Sequence, residues 1–309
     1  MARSPDRRAE VATDLPGLPV FGTLAEIIDF GVDAVVISTP PPTRRDLVLE
    51  AVGRGVHVIA DKPFAPDGST ARELEQAAAS AGVLLNAFHN RRWDADIRTL
   101  KAVVESGELG AVAHFESRFD LYEPHTVEPG PGGGVLSDLG SHLIDQALWL
   151  FGPVIAVYAE LDWLQTPGGV VDSGFFISLT HASAVVSHLR ASKTGRSTGR
   201  ELRITGSEGS YRSNGTDVQA AAISAGLRPK DDPSGWGFEA PDRWGTLITE
   251  AGERQVPSEQ GAWQSLYEQF ARAVRDGSDS PVPAADAVST VDVIDAARSS
   301  AVEHRVVTL

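Results

Sequence analysis

DAVVISTPPPTRRDLVLEAVGRGVHVIAD, residues 33–61, contains a complete strand–helix–strand unit. Its opening, DAVVIST (33–39), is short, β-branched and apolar through its middle, the composition of a strand buried on both faces. Proline follows, and TRRDLVLEAVGRG (43–55) reads as a helix that stops at Gly55, with HVIAD (57–61) as the next strand. Further on, STARELEQAAASAG (69–82) reads as a helix, VLLNAFH (83–89) as a strand and DADIRTLKAVVESG (94–107) as a helix. Strands and helices alternating over short connections predict parallel βαβ units in a doubly wound sheet.

After residue 110 the rhythm changes. AVAHFESRFDL (111–121) reads as a strand, and a glycine-rich stretch then leads into a helix over 138–151. SGFFISLTH (173–181), AVVSHLRAS (184–192), RELRITG (200–206) and GSYRS (209–213) follow as strands without helices between them, which predicts antiparallel pairing. Late helices at about 260–276 and 284–303 precede a last strand, RVVTL, and residues 222–243 read as a surface loop. The expected fold is α/β. Residues 1–110 form a Rossmann-like parallel sheet, and residues 111–309 form an α/β domain with an open, mainly antiparallel sheet. No G-x-G-x-x-G occurs before residue 33, so the first strand–helix–strand of a nucleotide domain is missing from the expectation.

Composition narrows the function. The 309 residues carry a formal charge of −15, and no lysine–arginine block is long enough to track a phosphate backbone, which argues against nucleic acid. No apolar run approaches the ~20 residues needed to cross a bilayer. The N-terminus has basic residues without an apolar stretch behind them, so no export signal is readable and a cytoplasmic location is expected. The absence of cysteine removes disulfides, thiolate nucleophiles and thiolate metal sites.

Asp138 and His142, four residues apart at the start of an apolar helix, are open to three readings. They could be a catalytic couple, or a helix-start charge beside an incidental histidine. As a metal site they lack a third ligand placed by spacing, and no metal is expected. By itself Lys62 would be a surface lysine after a strand, and Arg91 and Arg92 a solvated edge. His57 reads as structural and Trp236 as loop packing.

Three motifs in order carry a resemblance. ISTPPPTRRDLVLEAVGRGVHVIADKPFA (37–65), FHNRRWDADIRTLKAVVESGELG (88–110) and GGGVLSDLGSHLIDQALWLFG (132–152) resemble the successive signatures of the Gfo/Idh/MocA oxidoreductases, and the chain's C-terminal end is similar as well. The resemblance implies Lys62, Asp138 and His142 as the catalytic group. It implies cofactor contacts from Thr39, Pro40, Asp61, Lys62, Asn90 and Arg91, with Ser4 and Arg7 near a 2′-phosphate. Substrate would meet Lys62, Arg92, Tyr122, Asp138 and His142. The implied cofactor is NADP or NAD, with NADP favoured. The implied partners are a sugar or polyol substrate and further copies of the chain, in a homodimer or homotetramer paired through the C-terminal sheet. The sequence departs from the pattern in its missing glycine fingerprint, in Pro41 for the usual Asn, in Arg44 for the usual His, and in a shortened segment between Phe119 and Gly132.

The chemistry suits these residue types. Oxidising a secondary alcohol removes a hydride from carbon and a proton from oxygen, and imidazole is a base of suitable strength. A fixed cation such as Lys62 stabilises the developing alkoxide. The i, i+4 spacing predicts Asp138 beside His142, where it would orient the ring and support its charged form, or hydrogen-bond the substrate directly. Gly132–Gly134 would let backbone approach the nicotinamide. The rival expectation is a homologue without cofactor, binding a ligand or regulating, or a truncated product of a longer gene.

Overall fold

The computed structural model describes residues 4–215 and 217–309. The chain opens with α1 (Pro5–Asp14) and α2 (Leu24–Asp29). It then builds β1 (Ala34–Ile37), α3 (Pro41–Gly53), β2 (His57–Ala60), α4 (Gly68–Ala81) and β3 (Leu85–Ala87). The three strands pair in parallel in the order β1-β2-β3. Local chemistry sets the helix ends. The Asp67 side chain accepts from the Thr70 amide at 2.8 Å to start α4, and Gly82 ends it in the left-handed region. The expectation of a strand buried on both faces is only half met, because Val36 of β1 is 53% exposed. The opening residues from Ser4 onward form the start of a helix, and Met1–Arg3 lie outside the described residues.

A second and larger sheet follows α5 (Ala95–Glu105). It contains β4 (Val112–Asp120), then, after α6 (Ser141–Phe151), the strands β5 (Val154–Thr166), β6 (Gly169–His181), β7 (Val186–Ser192), β8 (Gly199–Gly206) and β9 (Gly209–Ser213). α7 (Val218–Ser224) precedes β10 (Gly245–Thr249) and β11 (Gly252–Val256), and α8 (Gln264–Asp276), α9 (Ala284–Glu303) and β12 (Val307–Thr308) close the chain. Among the described residues the order is β11-β10-β9-β8-β4-β7-β6-β5-β12, antiparallel except for β4 beside β7. The sequence reading assigns nothing at 154–166 or 245–256, and the structure puts strands at both. Trp236 in the 222–243 loop is buried, and His57 accepts from the Leu84 amide through Nδ1 at 2.9 Å.

The two cores do not divide at residue 110. One gathers Val35, Val58, Ile59 and Leu74 with Leu266 and Phe270 of α8 and Ala287, Val288 and Val291 of α9. The other gathers Ile97 and Leu100 of α5, Leu143 and Ile144 of α6, the sheet residues Phe115, Ile177 and Leu189, and Val293, Ile294 and Ala297 of α9. Helix α9 therefore has its first half in one core and its second half in the other.

Candidate active site

Lys62 stands two residues past the end of β2, at the C-terminal edge of the parallel sheet, where open α/β sheets take ligands. Its amide donates to Asp61 Oδ1 at 2.8 Å. Arg44, on α3, is 3% exposed and donates to the Thr39 carbonyl at 2.7 Å and to the Pro63 carbonyl. One buried guanidinium thus ties the loop after β1 to the loop carrying Lys62. Burial pushes its pKa down, and Asp61 partly offsets this. Arg44→Ala removes the donor from both carbonyls and is expected to cost about 2–4 kcal/mol of folding stability. An unchanged urea midpoint would show that the two loops are held by other groups.

Asp138 lies in a single π turn, Leu136–Gly140, that runs into α6. The turn starts where the Leu136 amide donates to Asp172 Oδ2 at 2.7 Å. Gly134, at φ +85°, lies against that carboxylate, and a Cβ there would stand 2.0 Å from Asp172 Oδ1. A Cβ on Gly133 would stand 2.2 Å from the Glu128 carbonyl oxygen. Here the glycines are required by the chain's own packing.

The π turn also corrects the expected couple. Its i→i+5 bonding breaks the i, i+4 register of an α-helix, and Asp138 turns to two lysines. Oδ1 accepts from Lys62 Nζ, and Oδ2 accepts from Lys193 Nζ at 2.5 Å. Nδ1 of His142 has no hydrogen-bond partner among the described residues, so Asp138 does not orient that ring. Burial would raise the Asp138 pKa, but the lysines outweigh it and hold the carboxyl below its usual range.

Lys193, which sequence reasoning missed, comes one residue after β7 and is 5% exposed. Its ammonium also donates to Thr126 Oγ1 at 2.8 Å. The available signal was the one that marks Lys62, a lysine just past the end of a largely buried strand. Lys62, Asp138, Lys193 and Thr126 line a cavity of about 290 Å³ with Pro41, Pro63 and the Gly132–Gly134 backbone. Cavities of about 560 and 580 Å³ lie elsewhere, around Trp149.

His142, 5% exposed in the first turn of α6, does not line this cavity. Burial, and then the charges of Lys62 and Arg91, hold its pKa well below 6.5, so the ring is neutral at neutral pH.

The other expected site residues divide. Thr39 accepts from the Thr43 hydroxyl at 3.0 Å, and Pro40 caps α3 beside the cavity-lining Pro41. Asn90 is buried at the start of a short 3-10 turn, Asn90–Trp93. Arg91 pairs with Asp94 at 3.0 Å and stacks over Phe119. Arg92 is a correction: its buried guanidinium is held by Asp145 at 2.6 and 2.9 Å and by Asp286 at 2.8 Å, away from the Lys62 cavity. It binds the fold together and does not line that cavity. Tyr122 is exposed under the Arg196 guanidinium and does not line the cavity. Ser4 caps α1 by accepting from the Arg7 amide, and Arg7 pairs with Glu10 at 2.6 Å.

A nicotinamide dinucleotide makes two demands on such a site. The cavity at the strand ends, between Pro41, Lys62 and the glycine backbone, fits the reacting ring. The pyrophosphate wants free amides at a helix N-terminus. α3 opens on Pro41 and Pro42, which have no N–H. At α4 the Gly68 amide goes to Asp295 and the Thr70 amide to Asp67. The first turns of these two helices therefore offer no phosphate cradle. No group of three or more His, Asp or Glu side chains that could hold a metal occurs among the described residues, and no described helix is long and apolar enough to cross a membrane.

Residues 2–89 match the oxidoreductase family with an NAD-binding Rossmann fold, and residues 97–212 match the GFO/IDH/MocA C-terminal domain. The scyllo-inositol 2-dehydrogenase (NADP(+)) IolW of Bacillus subtilis is 31% identical over 98% of this chain and 86% of its own length. The Escherichia coli oxidoreductase YdgJ is 35% identical over 96% of this chain and 86% of its own. The solved structure of yvaA from Bacillus subtilis superposes with a TM-score of 0.91 at 30% identity, covering 98% of this chain and 88% of that one. On these likenesses and the two sheets described above, the chain belongs to the Gfo/Idh/MocA oxidoreductase family.

Proposed function

We propose that the chain is an NAD(P)-dependent dehydrogenase, with NADP favoured, acting on a secondary alcohol of a sugar or cyclitol or on the matching carbonyl. The observation that carries this reading is the cavity in which Lys62, Asp138 and Lys193 meet at the strand ends, backed by a neutral His142. The bound nicotinamide supplies the hydride acceptor. Lys62, steadied by Asp138, stabilises negative charge as it grows on the substrate oxygen. His142 is assigned the hydroxyl proton because its neutral ring can accept one, and a bound substrate would have to reach past the cavity lining to meet it. Asp138 cannot serve as that base while both its oxygens accept from lysines. A polyol substrate is supported by relatives named as scyllo-inositol 2-dehydrogenase and D-apiose dehydrogenase, the latter 28% identical over 92% of this chain.

A second reading, a ligand-binding protein without turnover, is favoured by one observation, the proline-blocked first turn of α3. The two are separated by a panel of sugars and cyclitols assayed for NAD(P)H absorbance, with calorimetry on the same panel. Turnover of a polyol supports the dehydrogenase. Polyol binding without turnover at millimolar dinucleotide supports the second reading and overturns the first. Pairing of copies through the outer face of the large sheet, which carries both signs of charge in Glu116, Arg118, Arg190 and Glu201, belongs to the same proposal. A monomer in analytical ultracentrifugation would remove it.

A further inference from the structure

His89 closes the stretch after β3, 2% exposed, and neither of its ring nitrogens has a hydrogen-bond partner among the described residues. Against it stands the ring of His142, edge to face, with centres 6.2 Å apart and planes at 83°. Nδ1 of His142 is likewise enclosed and unpartnered. Three buried ring nitrogens thus lack partners in one place. Each unmade hydrogen bond costs about 1–3 kcal/mol, and a native fold normally answers such buried nitrogens with another group.

The two rings touch without a hydrogen bond between them at these nitrogens. An enclosed water typically makes two to four bonds of about 2.8–3.0 Å and can join groups left in this way. Charged groups surround the pair. Lys62, Arg91 and Arg200 act on His142, and Asp145, Arg92, Asp286 and Lys62 act on His89. A neutral imidazole has one donor and one acceptor nitrogen, and the bond made at one nitrogen decides the state of the other. Asp138, turned away to its two lysines, leaves that decision to another group.

We propose that one enclosed water joins His89 to Nδ1 of His142, and that His89 is thereby the positioning residue that fixes which ring nitrogen of His142 carries the proton. Its catalytic consequence rests on His142 being the proton acceptor, but the tautomer itself belongs to the resting chain. The test is nitrogen-15 NMR of histidine-labelled protein, with the His142 signals assigned by their loss in His142→Gln. In the unaltered chain His142 is expected to hold one neutral tautomer, with a nuclear Overhauser contact from its ring protons to a long-lived water. His89→Phe should mix the two tautomers, and His89→Gln, which keeps a donor and an acceptor, should restore one. A single unchanged tautomer in folded His89→Phe overturns the proposal. If that variant does not fold, absence of the water contact in the unaltered chain overturns it. Failure of the dehydrogenase reading would leave these spectra unaffected, so the two can be told apart.

Discussion

Turnover of the His142→Ala chain at saturating dinucleotide is expected to fall about 10²- to 10⁴-fold, the loss typical of a missing general base. The ring is neutral because burial and the neighbouring cations hold its pKa well below 6.5. A base works only when unprotonated. Activity in the oxidative direction should therefore be complete above pH 6.5 and decline only as pH falls through the depressed value. An acid limb at or above 6.5, or an alanine variant with unchanged turnover, would remove His142 from the reaction. The same shift bears on folding. A depressed histidine pKa contributes stability that is present above 6.5 and lost as pH falls through the folded value.

The second large effect belongs to Lys62. Lys62→Met takes away the cation beside the developing alkoxide, and kcat should fall about 10²- to 10³-fold, as when one fixed donor to an oxyanion is removed. Asp138 keeps Lys193, so its carboxyl should rise from its depressed value without losing all support. Stopped-flow measurement of hydride transfer checks the step directly. A transfer rate equal to that of the unaltered chain would show that Lys62 binds Asp138 for structural reasons alone.

The β-branched run at 34–37, the proline after it and Gly55 made the parallel units legible, because strand, stop and turn signals there are local. The place of Lys62 just past a strand was legible for the same reason, but by itself it read as a surface lysine, and only the resemblance gave it a role in the site. The couple at 138 and 142 was misread because a π turn leaves no mark in residue spacing: its register is set by Asp172, which lies 34 residues away in sequence from Asp138. Lys193 and the buried role of Arg44 depend on partners from distant elements, Thr126 and Asp138 for one and the Thr39 and Pro63 carbonyls for the other. Arg92 read as a site residue because its motif does not say that Asp145 and Asp286 will enclose it.

Helix α9, seated half in each core, works as a splint between them. Closure over a substrate by swinging one core against the other would have to tilt or bend that splint, so any such swing is kept small. The two halves should also melt together. A single calorimetric transition is the expected trace, and two separated peaks would show that the splint does not couple them.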